Sequence, residues 1–311
     1  MPTKALNTIL DRNFAIADAK EIINTASPAI KEIVNYSTNT FARCEKSSKA
    51  QDDEDLAILI LFLHTIEMAD AIEELVLKSC CNAIVPLLRS IFEALLSVEY
   101  ILEDDYRQRA LCWNYNYIMN RISMYKLLNK NTTEGKTFIK TIKEDRLLKS
   151  LKPKDFLRSK EPIENLKSLL NKEPYKEIES EYFNFKETFH RNPKWYELFN
   201  KRMDLLTLAR HLKRGALYLF LYRGWCQITH ASDISRFISK TDNGQPGIVG
   251  LRNSSELANN VTFTLCFMID INMHILKKFR PEESIASWYI REIRSRFLKL
   301  NNLSANIGIK T

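Results

Sequence analysis

Residues that interrupt regular structure are scarce in this sequence. The 311 residues include only 7 Gly and 9 Pro, the two residue types that most often mark turns and end helices. Apolar residues recur at intervals of three and four, which is the period of a helix face, and the strict alternation of a strand is not seen. The sequence therefore predicts an all-α protein, a bundle of several long helices with little or no sheet.

The chain also has little that marks a secreted, disulfide-linked or membrane protein. Its six cysteines are scattered without a C-x-x-C pair, so we expect free thiols. Charged residues appear within the first dozen positions, unlike the apolar core of a signal peptide. The longest apolar run, Leu56 to Leu63, is about half of what a bilayer crossing requires. We expect a soluble, cytoplasmic protein without a membrane segment.

Several motifs that carry common enzyme chemistry are missing. The sequence has no P-loop, no dinucleotide-binding glycine pattern and no nucleophile elbow, which removes the usual support for ATP, NAD or hydrolase chemistry. A di-metal site in a helical bundle draws a Glu-x-x-His motif from each of two helices, and this chain has one, Glu187 to His190. We therefore predict no metal site and no cofactor.

The helical periodicity divides the chain into three parts. Residues 1–50 are expected to hold N-terminal helices, residues 51–280 a core domain, and residues 281–311 a basic C-terminal helix. A charged, proline-containing stretch at about 135–210 is predicted to be a polar helical insert in the core domain. The predicted helices span residues 7–26, 28–47, 53–79, 82–103, 105–129, 212–230, 254–279 and 282–300. The glycines of TDNGQPGIVG, residues 241–250, predict a flexible loop.

One apolar helix of the core carries charges that need partners. The segment CNAIVPLLRSIFEALLSVEYIL is apolar on nearly every side, yet it contains Arg89, Glu93, Glu99 and Tyr100. Glu93 follows Arg89 by four residues, and Tyr100 follows Glu93 by seven. These spacings place the three side chains on one helix face. The pattern fits a buried Arg89–Glu93 ion pair that fixes helix packing, and it equally fits a polar site that anchors a phosphate or carboxylate.

A second polar constellation lies in the segment ALYLFLYRGWCQITHAS. Arg223 and His230 are seven residues apart, so they share a helix face about 10 Å apart along the axis. Tyr222 and Ser232 add hydrogen-bonding groups around the histidine. His230 fits either a structural histidine satisfied by one carboxylate or a general acid/base.

Two further groups have both a structural and a functional interpretation. Asp270 and His274 are four residues apart in an apolar helix, where a carboxylate can orient an imidazole or simply form an internal hydrogen bond. The net charge is +8, and residues 277–310 carry eight Lys or Arg against three Asp or Glu. This basic stretch indicates either a solvated face or a contact surface for an anionic partner. Its candidate nucleic-acid contacts are Arg291, Arg294, Arg296 and Lys299.

These motifs resemble those of a known family. The strings LLRSIFEALLSVEYIL, NPKWYELF and LYRGWCQITHAS, together with Arg107, Arg109 and Tyr115, are similar to a bacterial family classified as domain of unknown function 5677 over about residues 55–280. The core of that family is an R-x-x-x-E helix and a later tyrosine-to-histidine helix that ends in His-x-Ser. The matching residues here are Arg89, Glu93, Tyr222, His230 and Ser232.

More distantly, the pattern is similar to the HEPN superfamily of helical bundles, which often dimerise. Active members of that superfamily cut RNA without a metal through an Arg-x(4–6)-His motif, and Arg223 and His230 match its longest spacing. Those enzymes commonly have a polar residue directly after the arginine, where this chain has Gly224. The resemblance implies an all-α bundle with a HEPN-like core and a homo-oligomer.

The resemblance also implies a function. The first hypothesis is a metal-independent endoribonuclease, a toxin or effector of bacterial antiphage defence, in which His230 is the general acid/base and Arg223 stabilises the phosphorane. Its partners would be RNA or another protein of the same defence system. The supporting polar network would consist of Arg89, Glu93, Tyr100, Tyr222 and Ser232.

Two other hypotheses stay open at this point. One is a non-catalytic helical module that binds a partner protein or nucleic acid through the basic C-terminal helix. The other is a small-molecule enzyme or sensor that uses a pocket at Arg89 and Glu93.

Overall fold

A computed structural model shows that the chain is built almost entirely from α-helices, as predicted. The structure describes residues 12–47, 53–150, 160–200, 202–230, 232, 238–240, 244–248, 252, 254 and 256–307. The first eight helices are α1 (Arg12–Asp18), α2 (Lys20–Ser47), α3 (Asp53–Leu77), α4 (Cys81–Glu103), α5 (Tyr106–Leu127), α6 (Thr133–Glu144), α7 (Lys160–Leu170) and α8 (Lys176–Phe189). The later helices are α9 (Leu205–His211), α10 (Gly215–Leu217), α11 (Arg223–Thr229), α12 (Leu257–Phe279), α13 (Ala286–Trp288) and α14 (Arg294–Ile307).

Short elements complete the regular structure. Strand β1 (Ile238–Lys240) pairs antiparallel with β2 (Pro246–Ile248), and β2 falls within the loop predicted at residues 241–250. Residues 241–243 and 249–250 of that loop lie outside the described part of the chain. Two π-helical turns, Tyr218–Tyr222 and Tyr289–Ile293, join α10 to α11 and α13 to α14. Two 3-10 turns cover Glu173–Tyr175 and Trp195–Glu197.

The clearest difference from the predicted boundaries is at Pro28. The sequence predicts two helices that meet there, because proline inside a helix loses a hydrogen bond and clashes with the preceding turn, at about 3 kcal/mol. Helix α2 instead continues through Pro28. Ile23, Ile30 and Ile33 are buried on this helix, and each buried isoleucine contributes about 1.5–3 kcal/mol. The packing of this face outweighs the proline penalty.

The chain divides into two compact units, and the larger one contains residues 1–51, 58–104 and 204–311. Within it, α12 packs against α2, α4 and α14, and α4 also packs against α11. The core between these helices is rich in aromatic rings. Phe92 of α4 is buried, and its ring centre lies 5.5 Å from that of Phe267 and 5.8 Å from that of Tyr222. These ring contacts hold the segment before α11 against α4.

The smaller unit contains residues 52–57 and 105–203. Here α5 packs against α6, α7 and α8. Tyr115, Ile118, Tyr175, Ile178 and Tyr182 belong to its buried core, and the rings of Tyr115 and Tyr182 are 5.3 Å apart. Most of the polar stretch predicted at about 135–210 falls in this unit. The main segment of the unit begins earlier than the predicted insert, at residue 105.

Helix α4 is the one described helix that is long and apolar enough to cross a membrane, judged by length and composition alone. A helix that is apolar on most sides is found either in a membrane or in the core of a large protein. In this structure 56% of the apolar window of α4 is buried, and α11 and α12 pack on it. Helix α4 is thus a central helix of the bundle in the larger unit.

Candidate functional site

Four of the predicted site residues meet at the surface of the larger unit. Helix α4 supplies Arg89 and Glu93, which are one turn apart. Tyr222 ends the π-helical turn before α11, and His230 is the C-terminal cap of α11. Because α11 packs against α4, these residues meet although more than 120 positions separate them in the sequence. We call Arg89, Glu93, Tyr222 and His230 the polar cluster.

Arg89 is the centre of the polar cluster. Its Nε donates to Oε1 of Glu93 at 2.9 Å and to the hydroxyl of Tyr222 at 3.1 Å. Its Nη1 donates to Nε2 of His230 at 3.4 Å, a long hydrogen bond. A guanidinium has no acceptor, so His230 must accept this bond through Nε2. This contact requires the tautomer of the imidazole that leaves Nε2 without a proton.

Glu93 and Tyr222 fix the charge and the position of Arg89. The hydroxyl of Tyr222 donates to Oε1 of Glu93 at 2.6 Å. Burial, together with the neighbouring carboxylate, raises the pKa of Tyr222 far above its ordinary range, so the hydroxyl stays protonated. Burial alone would lower the pKa of Arg89, but the hydrogen bond to Glu93 raises it. The guanidinium is thus a permanent cation, and its ring contact with Tyr222, at 5.0 Å from the ring centre, orients it further.

The predicted ion pair between Arg89 and Glu93 is confirmed, but its predicted burial is wrong. The Arg89 side chain is 24% exposed and that of Glu93 is 43% exposed. The neighbouring α4 residues Leu88 and Phe92 are fully buried, so the apolar composition of the helix reflects its other face. The pair lies at the edge of the packed surface, where solvent or a ligand reaches it.

Tyr100 and Ser232 do not join the polar cluster. Tyr100 is eleven residues beyond Arg89, about 16 Å along the helix axis, and its buried ring packs edge-on against His211 at 5.9 Å. Ser232 is exposed and donates to the backbone carbonyl of Gln227 at 3.2 Å. The shared face predicted for Arg89, Glu93 and Tyr100 therefore does not form one site.

Arg223, the predicted catalytic cation, forms no hydrogen bond or ion pair with the described residues of the polar cluster. It is the first residue of α11, which puts it about 10 Å along the axis from His230. Its side chain is exposed, and among the described residues it has no hydrogen-bond or ion-pair partner. The cation that contacts His230 is Arg89, which no Arg-x(4–6)-His spacing could reveal because it lies on another helix.

A second group of charges surrounds the buried Glu99 and also contains Arg214, Asp270 and His274, whose side chains are 25–34% exposed. We call these four residues the buried network after its central carboxylate. Nε of Arg214 donates to both carboxylate oxygens of Glu99 at 3.2 and 3.3 Å, and its Nη2 donates to Oδ2 of Asp270 at 2.9 Å. Nε2 of His274 donates to Oε1 of Glu99 at 3.2 Å. The predicted pairing of Asp270 with His274 is wrong, because each is bonded to a charge from another segment.

Glu99 is the buried centre of this network, with only 7% of its surface exposed. Burial alone would raise the pKa of its carboxyl group, but the hydrogen bonds from His274 and Arg214 prevail and lower it. Glu99 is therefore ionised and fully engaged. A carboxylate in this state has little capacity left for chemistry, so Glu99 itself acts as a packing element of the larger unit.

Three of the four basic residues proposed to contact nucleic acid are engaged within the protein. Arg291 pairs with Glu292 at 2.7 Å, and Lys299 pairs with Glu21 at 3.3 Å. Arg296 donates to the backbone carbonyl of Glu292. Arg294 is exposed, and no described residue pairs with it.

The chemistry available to the polar cluster follows from these contacts. An exposed neutral imidazole can accept a proton, and an adjacent guanidinium can bind phosphate oxygens and stabilise their negative charge. Within the described residues, no three His, Cys, Asp or Glu side chains gather closely enough to hold a metal ion. The cation of this site is an arginine.

Comparison with known protein families places part of the chain in a family. Residues 55–246, more than half of the chain, match a family of unknown function, DUF5677. All four residues of the polar cluster lie inside the matched range, whereas Asp270, His274 and the basic C-terminal helix lie outside it. No curated protein and no solved structure matches the chain. The chain therefore belongs to DUF5677, a family of unknown function.

Proposed function

We propose that the protein is a metal-independent endoribonuclease and that the polar cluster carries the reaction. One observation supports this most directly: the exposed His230 contacts Arg89, whose position and charge are fixed by Glu93 and Tyr222. In RNA cleavage, a proton acceptor can activate the nucleophile, and an adjacent fixed cation can stabilise the charge that develops on the phosphate.

The proposed reaction uses the 2′-hydroxyl of the substrate as its nucleophile. Nε2 of His230 takes the proton of the 2′-hydroxyl while the 2′-oxygen forms a bond to the adjacent phosphorus. Arg89 binds the non-bridging oxygens and stabilises the charge of the phosphorane. The bond from phosphorus to the 5′-oxygen then breaks, and that oxygen takes a proton from water. The products are a 2′,3′-cyclic phosphate and a 5′-hydroxyl.

Substrate binding would prepare His230 for this step. In the free protein, the lone pair of Nε2 accepts the bond from Arg89 at 3.4 Å. A phosphate that binds Arg89 competes for that N–H, because charge-assisted bonds to phosphate are stronger than a long bond to imidazole. The lone pair of His230 is then free to accept the 2′-hydroxyl proton. Glu93 and Tyr222 are positioning residues in this scheme.

The surroundings of the cluster suit a single-stranded polymer. Phe220 is 84% exposed, and Arg223, three residues later, is exposed as well. Exposed aromatic rings stack bases and nearby cations contact the backbone in proteins that bind single strands. Arg223 is thus proposed as a backbone contact, while Arg89 takes the role at the phosphorane that the Arg-x(4–6)-His pattern would give to Arg223. The HEPN-like relationship, a role in antiphage defence, a homo-oligomer and a cytoplasmic location belong to the same proposal.

The proposal is tested with the purified full chain and single-stranded RNA in the presence of a chelator. We expect cleavage that leaves 2′,3′-cyclic phosphate ends, and no cleavage of the same sequence made of DNA. His230→Ala should lower the cleavage rate by about 10²–10⁴-fold. Arg89→Ala should lower it by about 10²–10³-fold, and Arg223→Ala should act mainly on the KM.

His211→Ala is the matched control. His211 is an exposed histidine of the same unit that is bonded to a carboxylate, Glu103, at 2.6 Å, outside the polar cluster. This variant should cleave like the wild type, and melting curves should show that all the variants are folded. A folded wild type that leaves RNA intact, or a His230→Ala variant that still cleaves, would overturn the enzymatic proposal in favour of the non-catalytic binding module.

A further inference from the structure

The larger unit contains a cavity that the polar cluster does not use. Its volume is about 370 Å³, which is within the range of small-molecule sites, about 300–1,000 Å³. Leu217 of α10, Phe263 and Phe267 of α12 and Phe297 of α14 provide apolar walls. Cys266 also lines the cavity, and burial raises the pKa of its thiol to about 11, so this wall is uncharged. The cavity can therefore hold a flat apolar ring.

Two charged residues of the buried network line the same cavity. Arg214 uses Nε and Nη2 to bind Glu99 and Asp270, while Asp270 accepts through Oδ2. Within the described part of the chain, no partner is seen for Nη1 of Arg214 or for Oδ1 of Asp270. These bonds leave one donor group of Arg214 and one acceptor atom of Asp270, and both residues line the cavity together with its aromatic walls.

The charge balance at this end of the cavity disfavours an anion. Arg214 carries one positive charge and is bonded to two carboxylates, Glu99 and Asp270. A phosphate or carboxylate on a ligand would meet Asp270 without an unbalanced cation to offset the repulsion. The ligand that suits this site is an uncharged ring that presents an acceptor and a donor side by side.

We infer that this cavity binds a nucleobase that carries an amino group next to a ring nitrogen, as in adenine and cytosine. The amino group would donate to Oδ1 of Asp270, and the ring nitrogen would accept from Nη1 of Arg214. The base plane would pack against Phe263, Phe267 and Phe297. Recognition of a base by hydrogen bonds to its edge and by stacking on aromatic rings is the general way in which proteins hold an isolated base. This inference does not depend on the proposed ribonuclease activity.

The test compares ligands that differ in a single group. Adenosine and cytidine are titrated into the full chain by calorimetry and by melting curves, with purine riboside, which lacks the amino group of adenosine, as the matched ligand. We expect adenosine or cytidine to raise the melting temperature, because a ligand of the folded state stabilises it. Purine riboside should bind at least about tenfold more weakly, since Asp270 then loses its donor.

A pair of variants tests whether the ligand binds in the cavity. Leu217→Trp fills the cavity and should abolish binding. Leu219→Trp is the control, because Leu219 lies on the same helical segment, is 45% exposed and does not line the cavity. Three results would overturn the inference: neither nucleoside binds, purine riboside binds as tightly as adenosine, or a folded Leu217→Trp variant binds as the wild type does. The ligand comparison on the wild type decides the matter if Leu217→Trp does not fold.

Discussion

Glu99→Gln should destabilise the larger unit much more than Glu93→Gln, although both substitutions remove a carboxylate from α4 that is bonded to an arginine. Glu99 is 7% exposed and accepts bonds from Arg214 and His274. Glutamine keeps the shape of the side chain but replaces one acceptor oxygen with an NH₂ group that faces N–H donors. Removal of one partner from a buried pair costs about 3–5 kcal/mol, and because Asp270 still balances Arg214, we expect about 3 kcal/mol.

Glu93 provides the matched control within the same helix. Its side chain is 43% exposed, so water screens its interaction with Arg89 and solvates what the substitution leaves behind. Exposed ion pairs contribute about 0–1 kcal/mol. The difference between the two variants, about 2 kcal/mol, corresponds to about 30-fold in the unfolding equilibrium, since each 1.36 kcal/mol is tenfold.

The assay must report on the larger unit alone, because a chain with two compact units need not unfold in one step. Amide hydrogen exchange of α4 and α12 peptides across a urea series measures the free energy of unfolding locally. If Glu99→Gln lowers that free energy by no more than Glu93→Gln does, burial does not decide the strength of these pairs and the reasoning fails.

The pH dependence of the same difference gives a second check on its sign. The pKa of Glu99 in the folded protein is lower than its ordinary value of 4.5. The stabilisation by its ionised form is therefore complete above about pH 5, and it is lost as the pH falls through the folded pKa. The gap in unfolding free energy between the wild type and Glu99→Gln should accordingly shrink with acidification below about pH 4.5. A gap that widens in acid would show that the pKa of Glu99 is raised.

Further predictions concern glycines and the basic helix. Gly224→Ala should increase the free energy of unfolding by up to about 1 kcal/mol and so raise the melting temperature, because a Cβ at this position in α11 meets nothing within 4 Å. Gly135→Ala should instead lower it, since a Cβ there would lie 1.9 Å from the backbone oxygen of Asn129; equal melting temperatures would contradict both. Charge reversal at Arg291 and Arg294 together should reduce salt-sensitive RNA retention, and Arg294→Glu alone should account for most of the loss because Arg291 is paired with Glu292; unchanged retention would make this a solvated face.

The helices could be predicted from the sequence because their apolar periodicity is a local property. The spacing of apolar residues sets which face of each helix is buried, and most predicted helices are present. The π-helical turns at Tyr218–Tyr222 and Tyr289–Ile293 were not predicted. A π turn changes which carbonyl an N–H reaches, and the side-chain pattern of a few residues hardly records this. The continuity of α2 through Pro28 was missed for a related reason, since tertiary packing outweighed a local rule.

Only part of the candidate site could be predicted in the same way. The Arg89–Glu93 bond follows from a spacing of four on one helix, and it was predicted. The bonds from Arg89 to Tyr222 and His230 depend on how α4 packs against α11, over sequence separations of 133 and 141 residues. The family resemblance had grouped these residues, but it could not say which arginine contacts the histidine.

The different exposure of the charges on α4 explains why Arg89 can exchange a contact for a ligand whereas Glu99 cannot. The sequence predicted burial at Arg89 and Glu93, yet the buried carboxylate is Glu99, six residues beyond Glu93 on the same helix. Both groups bond to the segment between α9 and α11, through Arg214 in one case and Tyr222 in the other. Burial forces Glu99 to be fully paired, because an unpaired buried charge is severely destabilising. Arg89 is partly exposed, so water can solvate any of its N–H groups that lack a protein partner. Its long bond to His230 can therefore be displaced by a ligand. The proposed reaction needs a bond that a phosphate can displace. Replacement of Arg89 or of His230 should therefore lower the activity of the protein without lowering its stability.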